Sequence, residues 1–289
     1  MVNKLASIIT KVRRANMDKV EHAPAINVED IFTAACKLPY CKIHRDAFLT
    51  KQLNGKVSSE RLAYALENGT INAGISLDIL NRLADGAIKL ETTKATALST
   101  AAGMPGGFAM IGTIPADLAQ FYAHVFRVAQ KLAYIYGYKE IDLDDATQNV
   151  LMIFLGVMFG VNAATAALAK LAAANAAKIG ARVAAKPLSK YAIYNIAKKV
   201  LAWIGVKLTK DGVGKAVSKV VPVVGGIISG GLTVATFLPM AKKLKKELSK
   251  FAAMSPENLD RASAAADIIL ADFEIVPEDI TAEECEHDA

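Results

Sequence analysis

The sequence predicts an all-α fold: a multi-helix bundle with long central apolar helices and a glycine-rich helical hairpin. Three observations lead to this prediction. Capping residues followed by acidic first turns recur along the chain, and both stabilise helix N-termini. No alternating β-branched runs are joined by Asn-Gly turns. Two long stretches carry no charge, and 53% of the 289 residues are hydrophobic, which is enough apolar surface to bury helices of that length.

Capping residues and apolar periodicity set the helix boundaries. Ser58, Ser76 and Ser255 each precede a first turn that contains Asp or Glu. A serine at this position can accept a hydrogen bond from an amide that lacks a partner within the helix. The predicted helices cover residues 3–20, 28–36, 43–53, 58–67, 76–101, 114–137, 143–177, 188–205, 212–248 with a break, and 255–271.

The chain divides into three predicted regions by charge and hydropathy. Residues 1–25 form an amphipathic N-terminal helix, residues 26–272 a helical domain, and residues 273–289 an acidic, mobile tail. Basic residues of the first helix are candidates for contact with lipid phosphates: Lys11, Arg13 and Arg14. Packing of the apolar face of this helix on the core is the alternative to a position on an anionic membrane surface.

A basic stretch over residues 170–219 adds a second candidate lipid contact. Lys178, Arg182 and Lys186 follow one another at four-residue spacing, which places them on one face of a helix. Because the surrounding residues are apolar, anionic membrane lipid fits this stripe better than nucleic acid. A solvated helix face and a stripe covered by the acidic tail remain alternatives. The sequence therefore predicts an anionic lipid partner and no nucleic acid.

Residues 146–169 lack charged side chains and are long enough to cross a hydrocarbon core of about 30 Å. Their second half is rich in alanine, which gains little from contact with lipid and suits close helix packing. A buried central helix and a membrane span are therefore both open. Three cysteines and an N-terminus without a continuous apolar signal region predict a reducing, cytoplasmic location.

The second uncharged stretch, residues 220–241, is flanked on both sides by lysines, which include Lys242 and Lys243. A single crossing would place lysines on both sides of a bilayer, against the positive-inside bias. We therefore expect a hairpin that enters and leaves on one face, with a buried helix-turn-helix as the alternative. The hairpin residues are Gly225, Gly226, Gly230 and Gly231, of which Gly226 and Gly230 have the spacing of small residues that allows two helices to approach closely.

The helix that begins near Pro115 carries the candidate catalytic residues Asp117, His124 and Arg127. Together with Gln120 and Lys131 they follow at steps of three and four residues and so share one helix face. A carboxylate, an imidazole and a guanidinium on one stripe can perform acid/base chemistry or bind an anionic headgroup. Alternatively, the stripe faces water or is satisfied by buried partners.

No metal site or cofactor is predicted. Cys36, Cys41 and His44 superficially match metal-ligand spacing, but the second compact pair of ligands that a structural zinc site uses is missing, so free thiols are expected. Nucleophile-elbow, zinc-protease and phosphate-loop motifs are also missing from the sequence.

Four segments carry a resemblance to a known family. They are A-A-G-M-P-G-G-F-A-M-I-G-T-I-P-A-D-L at 101–118, Y-I-Y-G at 134–137, F-L-G-V-M-F-G-V at 154–161 and P-V-V-G-G-I-I-S-G-G at 222–231. Over roughly residues 30–250 the chain resembles the EcsC family, bacterial proteins named for a gene beside an ABC transporter. The resemblance implies a helical protein without an assigned activity at the inner face of the cell membrane. It also implies a link to transport or envelope processes, with a membrane transporter or another protein as partner.

Three functional hypotheses follow from the sequence. The leading one is a non-enzymatic, membrane-associated protein recruited by its basic residues. The second is a hydrolase-like enzyme that acts on a lipid or peptide in a pocket formed by Asp117 and His124. The third is a soluble protein-interaction module in which the acidic tail covers the basic stripe.

Overall fold

The computed structural model describes residues 28–103, 114–143, 150–177, 188–202 and 222–273, which form helices and no strand. The helices are α1 (Val28–Lys37), α2 (Arg45–Leu53), α3 (Ser59–Asn68), α4 (Leu77–Gly103), α5 (Ile114–Ile135), α6 (Val150–Phe159), α7 (Asn162–Ala177), α8 (190–202), α9 (Pro222–Ala252) and α10 (Pro256–Leu270), followed by a 3₁₀ turn (Ala271–Phe273). The predicted all-α bundle is confirmed for this part of the chain. The predicted helix at residues 3–20 lies outside the described residues.

The predicted serine caps are present at three helix starts. The side chains of Ser58, Ser76 and Ser255 each accept a hydrogen bond from the amide three residues later, at 3.3 to 3.4 Å. Each bond satisfies one of the amides that have no partner at the start of a helix. Local sequence therefore fixes where α3, α4 and α10 begin.

A buried arginine joins α2 to the C-terminal end of α3. The guanidinium of Arg45 donates hydrogen bonds to the carbonyls of Ala65 at 3.2 Å and Leu66 at 2.6 Å, and to that of Tyr138 at 3.0 Å. The first two carbonyls belong to the last turn of α3, where the helix dipole gives carbonyls a partial negative charge; the Ala65 carbonyl also accepts from the Gly69 amide at 2.9 Å. Arg45 thus caps α3 and holds it against the segment that follows α5.

The longest helices, α4 and α9, pack side by side in opposite directions. Asn81 contacts Ser249 at 2.9 Å, and Asp85 contacts Lys245 at 2.6 Å. As residue numbers rise along α4, those of its neighbours on α9 fall, which defines an antiparallel pair.

Helix α5 packs against both members of this pair. The hydroxyl of Tyr136, just after α5, donates a hydrogen bond to Asn81 at 2.6 Å, and the ring of Phe121 lies 6.1 Å from the ring of Phe237 on α9. Helix α5 therefore runs parallel to α9 and antiparallel to α4. The C-terminal end of α4 and the N-terminal ends of α5 and α9 meet at one end of the molecule.

The uncharged stretch predicted as one helix over 143–177 is two helices in the structure. Gly160, with φ +86°, ends α6. Its amide bonds to the Val157 carbonyl at 3.1 Å, and the Val161 amide bonds to the Gly156 carbonyl at 2.8 Å. This is the Schellman arrangement, in which a left-handed residue stops a helix. Residues 151–158 are all buried, which confirms the buried alternative for this helix. Within the described residues, no helix combines the length and apolarity needed to cross a bilayer.

The predicted hairpin at residues 220–241 is wrong for the described backbone. A single helix, α9, runs from Pro222 to Ala252 through all four glycines: Gly225, Gly226, Gly230 and Gly231. Each glycine costs a helix only about 1 kcal/mol relative to alanine, and the long contact with α4 offsets this cost. Pro222 suits the first helical position because its missing amide would have no helical acceptor. Pro239, inside α9, removes the hydrogen bond to the Ala235 carbonyl but does not end the helix.

Candidate functional site

Four charged or titratable side chains meet between α4 and α5; we call them the Glu91 cluster (Glu91, His124, Arg127 and Lys131). Glu91 is completely buried. One of its carboxylate oxygens lies 2.7 Å from Nδ1 of His124 and 3.2 Å from Nε of Arg127. The other oxygen accepts a hydrogen bond from the ammonium group of Lys131. A single carboxylate thus serves three basic side chains.

The spacing of the three basic residues along α5 explains why they meet at one point. His124, Arg127 and Lys131 follow at steps of three and four, as the sequence predicted, and so project from one face. Sequence reasoning missed Glu91. Its signal is a carboxylate in register with the buried face of α4, whose other members include Leu80, Ala84, Ala87, Ile88 and Ala95. A charged residue in such an apolar register needs a partner on a neighbouring element.

The surroundings keep Glu91 ionised. Burial by itself would raise the pKa of this carboxyl group, because it disfavours the charged form. The hydrogen bond from His124, the charge of Lys131 and the hydrogen bond from Arg127 outweigh that effect and hold the pKa of Glu91 well below its usual range. Burial lowers the pKa of Lys131, and the nearby Glu91 charge opposes this change only in part. At neutral pH, Glu91 acts as a fixed negative charge and not as a proton carrier.

The segment after α1 covers the Glu91 cluster. Arg127 donates a hydrogen bond to the carbonyl of Tyr40, whose ring lies 5.6 Å from the ring of His124. Gln130, buried on α5, donates to the Cys41 carbonyl at 3.1 Å and accepts from the Ile43 amide at 2.9 Å. These bonds hold residues 40–43 against α5. Nε2 of His124 is buried and has no hydrogen-bond partner among the described residues.

The structure brings together two of the three predicted catalytic candidates. His124 and Arg127 share Glu91 as their partner, and His124 is 4% exposed. Asp117 lies in the first turn of α5, and its side chain is outside the described part of the structure. The stripe is therefore satisfied by a buried partner, which was one of the alternatives for His124, Arg127 and Lys131.

A second polar region lies at the surface between α4 and α9; we call it the lysine pocket (Asn81, Asp85, Lys242, Lys245, Lys246 and Ser249). Its volume is about 450 Å³. Lys245 pairs with Asp85 at 2.6 Å. Within the described residues, Lys242 and Lys246 form no ion pair with a carboxylate. Two lysine charges in this pocket are therefore uncompensated.

The exposed face of α9 changes character along its length. From Gly231 through Val234 and Ala235 to Pro239, its exposed residues carry no charge. One turn further on, the exposed residues are lysines: Lys242, Lys243, Lys246 and Lys250. The three-to-four-residue spacing keeps these positions on one side of the helix. The result is a surface with an uncharged half and a basic half.

Of the predicted lipid-contact residues, only Lys242 and Lys243 lie in the described part of the chain, and both are exposed. The others lie outside it: Lys11, Arg13, Arg14, Lys178, Arg182 and Lys186. The acidic tail is likewise outside, apart from residue 273.

The cysteines that drew attention in the sequence are free thiols. Cys36 is half-buried and Cys41 is buried. A hydrogen bond between the two side chains lowers the pKa of Cys36 and raises that of Cys41. His44 is exposed, and no group of three potential metal ligands occurs within the described residues.

Comparisons with known proteins identify no relative of this chain. No family model matches it, and no curated protein or solved structure does. The resemblance to the EcsC family therefore stays a prediction from the sequence, and the functional argument depends on the geometry described above.

Proposed function

We propose that this chain is a non-enzymatic, membrane-associated helical protein that binds anionic lipid at the inner face of the cell membrane, in keeping with its resemblance to the EcsC family. The observation that carries the proposal is the two-part exposed face of α9. Its basic half offers Lys242, Lys243 and Lys246, none of which pairs with a described carboxylate. Each lysine close to an anionic membrane contributes about 1 kcal/mol of attraction.

The uncharged half of α9 lies at the end of the molecule where α4 ends and α5 begins. In the sequence, residues 95–116 and 220–241 contain no charged side chain. Among the described residues of this region, two large apolar side chains are exposed: Leu98 on α4 by 39% and Val234 on α9 by 36%. Apolar side chains beside a row of lysines suit insertion at the boundary between headgroups and acyl chains.

The dimensions agree with shallow insertion. From Val234 to Lys242, α9 rises about 12 Å along its axis. Interfacial helices bury their apolar faces about 5 to 10 Å deep at the lipid boundary. With Val234 at that depth, Lys242 and Lys243 reach the level of the lipid phosphates.

The Glu91 cluster favours a structural role over the hydrolase-like alternative with Asp117 and His124. General acid/base groups must reach a substrate proton directly or through one water molecule. Here His124 is buried, and its Nδ1 is engaged by Glu91. A membrane transporter or other protein partner remains a prediction from the family resemblance.

Vesicle flotation with the full-length protein tests the proposal. We expect the protein to float with vesicles that contain phosphatidylglycerol and to stay behind with vesicles of phosphatidylcholine alone. Changing Lys242, Lys243 and Lys246 to Glu should weaken binding by about 100-fold or more, because three attractive charges become repulsive. The matched control changes three exposed lysines on other surfaces to Glu: Lys37, Lys42 and Lys51.

Two outcomes would contradict the proposal: no flotation with anionic vesicles, or equal losses in the two triple variants. Addition of 1 M salt distinguishes the contributions of the two halves of the α9 surface to vesicle binding. Screening weakens the attraction of the exposed charges, whereas the apolar contacts persist. In cells, retention of the protein in the membrane fraction through a carbonate wash would support apolar insertion by the Leu98 and Val234 region.

A further inference from the structure

We propose that the lysine pocket is a binding site for a phosphomonoester group. This inference rests on the proposed function and narrows it: the preferred membrane ligand carries a terminal phosphate, as phosphatidic acid does, in preference to a phosphodiester headgroup. A soluble phosphomonoester offers the same chemistry, and the experiment below separates the two sources.

The charge of the lysine pocket matches a dianion. Three lysines line it against one aspartate, and that aspartate is paired with Lys245. Lys242 and Lys246 remain without a described carboxylate. A phosphomonoester carries a charge of about −1.5 to −2 at neutral pH, whereas a phosphodiester carries about −1. The charge of two ammonium groups therefore matches the charge of a phosphomonoester more closely than that of a phosphodiester.

A hydrogen-bond donor beside these lysines comes from Asn81. Its Oδ1 accepts hydrogen bonds from the hydroxyls of Tyr136 at 2.6 Å and Ser249 at 2.9 Å. Burial raises the pKa of Tyr136 to about 12, so its hydroxyl remains a donor at neutral pH. Oδ1 already accepts two hydrogen bonds, and the Nδ2 group is the other polar group of this amide. Nδ2 makes no hydrogen bond to a described residue. It is available to donate to a phosphate oxygen.

Position and size also fit a headgroup. The pocket volume of about 450 Å³ is within the range of small-molecule sites and exceeds what a single phosphate needs. Lys242 and Lys246 belong both to the pocket and to the basic half of the α9 face. A lipid at the level of these lysines can therefore place its phosphate between α4 and α9.

The ion pair of Asp85 with Lys245 allows a test in which a substitution should increase the affinity for a phosphomonoester. Among the described residues, Asp85 is the one negative charge that lines the pocket, so its neutralisation frees Lys245 and leaves three lysine charges for the ligand. Asp85→Asn should therefore bind a phosphomonoester more tightly. A purely structural role for this ion pair predicts no gain in affinity.

Asn81→Asp is the sharpest loss-of-binding variant. A carboxylate oxygen at this position can accept the same two hydrogen bonds from Tyr136 and Ser249. The substitution removes the Nδ2 donor and adds a negative charge to the pocket, so phosphate binding should fall while the hydrogen bonds to α5 and α9 are kept. Unchanged circular dichroism and thermal unfolding will verify that the fold is retained.

The experiment uses the full-length protein with phosphatidylcholine vesicles that contain either phosphatidic acid or phosphatidylglycerol, matched in surface potential. We expect about tenfold tighter binding to phosphatidic acid, which corresponds to one extra charge-assisted hydrogen bond. The double variant Lys242→Ala/Lys246→Ala and the variant Asn81→Asp should lose this preference. The control Lys243→Ala/Lys250→Ala removes two lysines of the same helix outside the pocket; it should weaken binding to both vesicle types equally and so keep the preference.

A second arm titrates the protein with glycerol 3-phosphate and inorganic phosphate in the absence of lipid. Binding of glycerol 3-phosphate that depends on Asn81 and Lys242, without any binding to vesicles, would support the pocket with a soluble ligand and would overturn the proposed membrane function. Equal binding to the two vesicle types, with no effect of Asn81→Asp, would overturn the pocket and leave the membrane function standing.

Discussion

The Glu91 cluster and the lysine pocket are both built from basic residues against one carboxylate on α4, yet they differ in what surrounds them. In the Glu91 cluster, three basic side chains converge on a carboxylate with no exposed surface. In the lysine pocket, the carboxylate of Asp85 is mostly exposed and holds Lys245 alone. The two sites lie on different faces of α4: Glu91 faces α5, whereas Asp85 faces α9.

This difference separates a structural role from a binding role. Burial makes an unpaired charge costly, so the interior keeps a cation only where a carboxylate or carbonyl accepts its protons. At the surface, water solvates an unpaired lysine at little cost, and the lysine remains available to a ligand. The same residue types therefore stabilise the fold in one place and are free to recognise an anion in the other.

The largest expected effect comes from breaking the Glu91 cluster at its centre. Glu91→Gln removes the carboxylate that three basic side chains share and should destabilise the protein by about 3–5 kcal/mol. Urea unfolding measures this loss. The control Glu67→Gln, at an exposed position of α3, should change stability by less than about 0.5 kcal/mol. A loss below about 1 kcal/mol for Glu91→Gln would refute the structural role of the cluster.

The same substitution in the two regions should give different results. Lys131→Met should cost about 1–3 kcal/mol, because it takes away the partner of one buried oxygen of Glu91. Lys242→Met removes an exposed ammonium group and should change stability by less than about 0.5 kcal/mol. Thermal unfolding of both variants measures the contrast. Similar losses in the two variants would contradict the division into structural and available lysines.

Acid should weaken the Glu91 cluster selectively. The pKa of Glu91 is lower in the folded protein than the reference value of 4.5, so the unfolded state binds more protons below that pH. This stabilisation is complete above pH 4.5 and decreases as the pH falls towards the lower folded pKa, by up to about 1.4 kcal/mol per pH unit. The unfolding free energy of Glu91→Gln, measured from pH 7 to 3, should have a shallower slope. Identical slopes would show that Glu91 does not control the acid response.

The smallest effect on stability should follow Asp85→Asn. Asp85 is 62% exposed, although its partner Lys245 is only 20% exposed, and an ion pair that water reaches on one side should contribute about 1 kcal/mol or less. Unfolding in urea should therefore give nearly the wild-type midpoint, although the affinity for phosphomonoesters rises. A loss above about 2 kcal/mol would contradict this and show that the pair stabilises the fold.

Local features of the fold could be predicted from the sequence. The serine caps at residues 58, 76 and 255 act within their own first turns, so three or four residues determine them. The spacing of His124, Arg127 and Lys131 likewise follows from the period of a single helix. The break at Gly160 was missed, although a glycine at the end of an apolar run is a common signal for a helix end.

Long-range features could not be predicted in this way. Glu91 and His124 are 33 residues apart, and nothing in the sequence of α5 specifies which residue of α4 faces it. The hairpin prediction failed because it was argued from the lysines on both sides of residues 220–241 and from glycines suited to close helix approach, whereas α9 runs on as one helix and packs along α4. The pocket depends on the antiparallel alignment of Asn81 with Ser249, which only the packed helices define.

Pro239 divides the backbone hydrogen bonds of α9 into two sets. It lacks the amide that would bond to the Ala235 carbonyl, so the hydrogen-bond ladder is interrupted between the uncharged and basic halves of the helix. Hydrogen exchange proceeds through cooperative units whose borders lie where such ladders are weak. We expect amides before and after Pro239 to exchange as two units, so that the uncharged end of α9 can open while the lysine pocket keeps its shape.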